Sequence, residues 1–281
     1  MKKLLIAMAA IAAALVGTQT AMAYEFALGC AENYSQCGAL NLPYSCDNMS
    51  RTKSELLTLS NWNVGISSTT PYAEEWIDDD FWQIYGKDWL RYDKIGYGDF
   101  VGFNGHGTQS SSEPNGFFSI ALGYPVNPGG RCFADNTQMK FGESDGSWSQ
   151  NGDAEFVMFD ACCSMVIGEI IPVWTMANGS TGILTNNGHQ GFGFSGIAAD
   201  IPQRGENFVE NVKDGDSNQA AWLDAAEGCE YSDCQSSPAV ITGGTSGWNA
   251  IHRAGTEKLT AVDTDPDGTY WIWTYLDAEH C

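Results

Sequence analysis

Two apolar runs constrain this chain more than anything else in it: Phe100-Val-Gly-Phe-Asn-Gly-His106-Gly107 and Glu155-Phe-Val-Met-Phe-Asp160-Ala-Cys162-Cys163-Ser164. Each is a short, nearly continuous apolar segment, which reads as a strand buried on both faces. Each also ends on a reactive side chain, a histidine followed by glycine in the first and a cysteine in the second. If the two strands are parallel neighbours, an imidazole and a thiol meet at one edge of the sheet. That is the minimal equipment of a cysteine nucleophile.

The rest of the chain supports such a sheet. Asp99–Phe103 and Phe156–Phe159 are the firmest strands, and Gly182-Ile-Leu-Thr185 reads as a third, followed by a glycine-rich loop through Gly196. Ala239–Thr242 and Tyr270–Leu276 read as late strands, and Glu206–Val212 and Gln219–Glu227 as helices. Residues 62–89 carry clustered aromatics and acids that suggest a helix or two, whereas residues 107–152 are rich in Gly, Ser, Asn and Pro and read as loops with at most a hairpin. Strands joined by long, partly helical connections imply an α/β fold with a mostly parallel sheet flanked by helices.

Catalytic groups in parallel sheets collect at the carboxyl ends of the strands. His106 and Cys162 both fall there. A neutral imidazole can take the thiol proton, and the thiolate is the nucleophile. Gly107 sets an unencumbered backbone N–H beside the histidine, and with the N–H of Cys162 it would form an oxyanion hole. Asp160, Cys163 and His189 are the further candidates for lining a pocket, and Cys163 competes with Cys162 for the role of nucleophile.

At these residues the chain resembles the caspase-like peptidases, the clan that includes caspases, legumains, gingipains and clostripain. Their mark is a hydrophobic strand ending in His-Gly and a later one ending in a catalytic Cys, often after Ala. Phe103-Asn-Gly-His106-Gly107 and Phe159-Asp160-Ala161-Cys162 match it, with a Cys 56 residues after the His, against roughly 50 in caspases. The pattern also looks like an uncharacterised family of exported bacterial proteins, which assigns no activity. The clan resemblance covers roughly residues 95–200. It implies a caspase-like sheet, His106 as general acid/base, Cys162 as nucleophile, and cleavage of peptide or protein substrates through an acyl-enzyme. Such chemistry requires no cofactor. The rival reading is a non-catalytic binding or envelope protein that keeps the fold and carries calcium.

Composition sets the compartment. Lys2 and Lys3, an apolar stretch from Leu4 to Val16 and the small-x-small Ala21-Met-Ala23 form a signal peptide over residues 1–23. The expectation is export to the periplasm or the medium, with no membrane span left after cleavage. The nine cysteines fit an oxidising compartment, and in a monomer an odd number leaves at least one thiol unpaired. Cys30, Cys37 and Cys46, with Cys229 and Cys234, suggest disulfide-stapled extensions at both ends of the chain. The expected division is a Cys-rich extension over residues 24–60 and an α/β domain over residues 61–281. Beyond the signal peptide, 11 basic residues face 35 acidic ones, a formal charge of −24, which argues against nucleic acid as a partner. Asp263-Thr-Asp265-Pro-Asp267-Gly268 matches the first half of a calcium loop. The twelfth position is Thr274 rather than a bidentate Glu, so a structural Ca²⁺ at Asp263, Asp265 and Asp267 stands beside a plain polar turn.

Overall fold

The computed structural model describes residues 24–35, 37–64, 99–110, 117–126, 131–135, 155–166, 188–227, 236–263 and 270–276. The two apolar runs form β3 (Phe100–Asn104) and β7 (Phe156–Asp160), and every residue of both strands is buried. They are parallel neighbours, in register from Phe100 beside Phe156 to Asn104 beside Asp160. On one side of this pair lie β1 (Tyr24–Cys30) and the edge strand β2 (Trp62–Val64), both parallel to it. On the other side β8 (Gln190–Phe194) continues the parallel set, and β9 (Pro238–Gly244) and β10 (Tyr270–Tyr275) add antiparallel pairings. The sheet therefore runs β10-β9-β8-β7-β3-β1-β2, a mostly parallel α/β arrangement.

Rows of side chains across the sheet build the core. Phe26, Phe100 and Phe156 share one row, and Met158 and Phe192 share another. Against them pack α1 (Ser45–Leu56), α2 (Arg204–Asp214) and α3 (Asn218–Glu227), through Met49, Leu56, Phe208, Val212 and Trp222. The Phe208 ring lies 5.2 Å from Phe192 and 5.8 Å from Trp222. Burying each such aromatic contributes on the order of 2–3 kcal/mol. The alternate residues Val101, Phe103, Val157 and Phe159 are buried as well, as expected of a sheet covered on both faces. A fourth helix, α4 (Gly247–Thr256), packs on β9 and β10. Its Ser246 cap accepts the Asn249 N–H at 3.1 Å, which is why it begins there.

Several expectations are corrected. Residues 24–60 are not an appended extension, because β1 is an inner strand of the sheet and α1 covers it. The glycine-rich run before Gly196 is not a loop either: it contains β8, buried along its length. Its glycines serve close packing, and a Cβ on Gly193 would fall 2.2 Å from Ser164 Oγ. Directly after His106 the chain enters a three-stranded antiparallel sheet of β4 (Gly107–Ser110), β5 (Phe117–Val126) and β6 (Arg131–Asp135), where loops and at most a hairpin were expected. The signal-peptide segment, the strand expected at Gly182–Thr185 and most of the aromatic segment after Val64 lie outside the described residues. No helix among the described residues is long and apolar enough to cross a membrane.

Candidate active site

The register of β3 and β7 decides where the site lies. Asn104 and Asp160 stand side by side at the carboxyl ends, and His106 and Cys162 each follow two residues later. The Gly105 N–H donates to the Asp160 carbonyl at 3.2 Å, which carries the pairing past the end of β3. Gly107 then presses on the cysteine turn: a Cβ there would lie 2.2 Å from the Cys162 carbonyl oxygen and 3.0 Å from its nitrogen. Glycine at 107 is what lets the two chains approach.

His106 is anchored on three sides by the segment between β1 and α1. Its backbone N–H donates to the Tyr34 hydroxyl at 3.0 Å, and the two rings lie 4.6 Å apart. Its Nε2 is 2.7 Å from the Leu40 carbonyl oxygen. A carbonyl only accepts, so Nε2 carries the proton in this contact and Nδ1 keeps the lone pair. This is the tautomer a general base needs. The Cys30–Cys46 disulfide closes the segment that carries Tyr34 and Leu40.

Cys162 is the free cysteine among the described residues and is half-buried. Its Sγ accepts the Ala198 N–H at 3.3 Å and lies 3.8 Å from the Ala198 carbonyl oxygen. Its own backbone N–H has no hydrogen-bond partner among the described residues. Cys163 is disulfide-bonded and half-buried, and sits in the left-handed region at φ 59°, uncommon for a residue with a side chain. The turn is bound to the end of β8 by Cys163 N–H to Gly196 O and Met165 N–H to Phe194 O, each 2.8 Å. Phe194 N–H also donates to Ser164 Oγ at 2.9 Å. No hydrogen bond joins His106 to Cys162; the sulfur is turned towards Ala198 and the imidazole towards Leu40.

Beneath this edge lies a buried polar network. The Asp160 carboxylate is paired with Arg204 and accepts from Asn48 Nδ2 at 2.7 Å and Asn104 Nδ2 at 3.2 Å. Arg204 also stacks 4.8 Å from the Phe194 ring centre. Burial pushes the Asp160 carboxyl above the usual range, and the Arg204 charge opposes it. Asp160 is only 2% exposed, so it braces the turn and is not a pocket acid. Asp200, two residues beyond Ala198, accepts the Tyr44 N–H at 3.1 Å and the Ser45 hydroxyl at 3.4 Å. Burial raises its carboxyl too, opposed by those donors and then by the nearby Arg204 and His106.

The structure thus brings His106, Gly107 and Cys162 together, and moves His189 away. His189 directly precedes β8, whose first residue pairs with the first residue of β7, so it lies at the opposite end of the sheet from Cys162. There it is fully buried, with Nδ1 2.5 Å from Glu257 Oε1 and 2.7 Å from Arg253 Nη1. It cannot line a pocket at the cysteine. Of the calcium candidates, Asp263 is exposed and donates its N–H to Glu257 Oε1 at 3.3 Å; Asp265 and Asp267 lie outside the described residues. The acidic group Glu55, Glu206 and Glu210 joins α1 to α2, with Lys213 already on Glu55 and Arg51 on Glu206.

Tyr34, Leu40 and Ala198 escaped the reading of the sequence, as did the buried pairing of Arg204, which stands at the start of α2 and not in a loop. Leu40 acts through its carbonyl, which any residue supplies, so no signal marks it. The Cys30 and Cys46 pair was the visible hint that the segment before α1 is held in place. No protein-family model matches the chain, and comparison with curated proteins gave no match.

Proposed function

We propose that the chain is a secreted cysteine peptidase, or a related acyl hydrolase, built on a caspase-like sheet. One observation carries this reading: two adjacent parallel strands end level, one in a histidine whose Nε2 is fixed on a backbone carbonyl, the other in a free cysteine. In the reaction Cys162 Sγ rotates off the Ala198 amide, and Nδ1 of His106 takes its proton. The thiolate attacks the scissile carbonyl, and the N–H groups of Cys162 and Gly107 receive the developing oxyanion. His106 returns the proton to the leaving amine, and water activated by the same nitrogen hydrolyses the thioester. The substrate class is a peptide or protein. Export through the 1–23 segment and a structural Ca²⁺ at Asp263, Asp265 and Asp267 belong to the same proposal, and neither enters the chemistry.

The test is hydrolysis of a panel of peptide amides and esters by the purified mature chain, together with labelling by a thiol-directed acylating probe. Cys162→Ala and His106→Ala should each lower turnover by about a thousandfold or more, with Cys162→Ala also losing the label. Turnover that survives Cys162→Ala would overturn the proposal. The rival, a non-catalytic binding protein on the same sheet, draws on the sulfur being bonded to Ala198 and not to the imidazole. It expects no turnover on any member of the panel.

A further inference from the structure

The sulfur of Cys162 and the imidazole of His106 are held by two different stretches of chain. Sγ accepts the Ala198 N–H at 3.3 Å, just after β8, and His106 Nε2 donates to the Leu40 carbonyl at 2.7 Å, just before α1. The Asp200 side chain joins these stretches. One carboxylate oxygen accepts the Tyr44 N–H at 3.1 Å and the other the Ser45 hydroxyl at 3.4 Å, across 156 and 155 residues of sequence. We propose that Asp200 is a positioning residue, a strut that fixes the anchor of the thiol against the anchor of the imidazole. The strut itself stands apart from the peptidase reading; its effect on turnover rests on that reading.

Both arms of the strut are short. Asp200 lies two residues beyond Ala198, and Tyr44 lies four beyond Leu40. The Leu40 stretch is pinned by Tyr34 N–H to Asn41 Oδ1 at 2.9 Å and by Leu42 N–H to the Glu32 carbonyl at 3.0 Å. Tyr34 in turn receives the His106 N–H. On the other arm, Ser237 N–H donates to the Ile197 carbonyl at 3.3 Å and Ala199 N–H to Ser236 Oγ at 3.4 Å. A shift at Asp200 therefore reaches both reactive atoms through few rotatable bonds.

The helix supplies the reason for an acceptor at this place. The first N–H groups of a helix have no intrahelical partner, and Tyr44, at the cap position of α1, contributes no side-chain hydrogen bond. Asp200 takes that role from a distant part of the chain, where the helix dipole favours a negative group. Burial pushes its carboxyl up, and the Tyr44 and Ser45 donors are the strongest opposing influences. A cap alone would serve α1 and leave the thiol anchor untouched, so the two roles differ in what the loss of Asp200 disturbs.

The experiment is hydrogen exchange read by mass spectrometry on the mature chain with its disulfides intact, alongside steady-state turnover on the peptide panel. In Asp200→Ala, amide exchange should rise by about tenfold in residues 40–46 and also in residues 196–203, the scale of one lost hydrogen bond. The same variant should lose about 10²-fold in kcat with KM within about twofold, because the reacting atoms and not the substrate are misplaced. Asp200→Asn keeps an acceptor for the Tyr44 N–H and a donor for the Ser45 hydroxyl. It should restore exchange and kcat to within about threefold of the native chain. Faster exchange in residues 40–46 alone makes Asp200 a cap and overturns the inference, as does unchanged exchange in both stretches. Asp200→Asn behaving like Asp200→Ala overturns it too. A native chain without turnover sinks the peptidase reading alone, since exchange still judges the strut. Native turnover whose kcat is unmoved by Asp200→Ala sinks this inference alone.

Discussion

The guanidinium of Arg204 lies between the Asp160 carboxylate and the Phe194 ring, and the residue is 1% exposed. Removing it would strand a carboxylate in the core two residues from Cys162. Arg204→Met should lower stability by about 3–5 kcal/mol, read from urea denaturation midpoints, and the double variant with Asp160→Leu should recover part of that loss. Asp200 offers a test in pH. Burial, its largest influence, holds its carboxyl above the ordinary carboxylate range in the folded chain. A raised carboxyl contributes stability that is fully present below the unfolded value near ~4 and is lost as pH rises through the folded value. Asp200→Asn should therefore melt with the native chain at pH 3–4 and above it at pH 7. Equal melting temperatures at both pH values would remove Asp200 from the account.

At the scale of elements, the decisive contact is the abutment of β4 on the turn after β7. Gly107→Ala would drive a methyl group into the Cys162 backbone, which cannot yield as a side chain can. Turnover on the peptide panel should fall by about 10²-fold from the misplacement. Gly102→Ala is the contrast, since its Cβ would meet the side-chain ends of Leu28 at 2.7 Å and Met158 at 3.0 Å. That overpacking costs stability, about 1–3 kcal/mol, while the site backbone stays put. The legibility of these elements followed their chemistry. β3 and β7 were readable to within a residue because strands buried on both faces need unbroken apolar runs. β8 was not, because Gln190-Gly-Phe-Gly-Phe194 makes room for its neighbours with glycine, and glycine reads as loop. β1 was hidden by its position beside a Cys-, Asn- and Ser-rich segment. Of the site itself, His106, Gly107 and Cys162 could be named, whereas the carbonyl that orients the imidazole is invisible in any sequence.

For the whole molecule, the Cys30–Cys46 link spans a separation of 16 residues and ties the inner strand β1 to the helix covering it. A loop of that length stabilises by about 3 kcal/mol through the unfolded state. The double variant Cys30→Ser/Cys46→Ser should lose about that much in denaturation. It should also lose turnover while still folded, because Tyr34 and Leu40 would no longer be held against His106. The Asp160 network has a consequence in time as well. Its donors come from residues 48, 104 and 204, so the network closes only when distant parts of the chain have met. Asn48 lies 112 residues from Asp160, Asn104 lies 56, and Arg204, which brings the charge, lies 44. An unpaired carboxylate favours water over the core, so burial of the end of β7 waits on the docking of Arg204. The turn that carries Cys162 is therefore among the last parts of the fold to set, after α2 has closed over it.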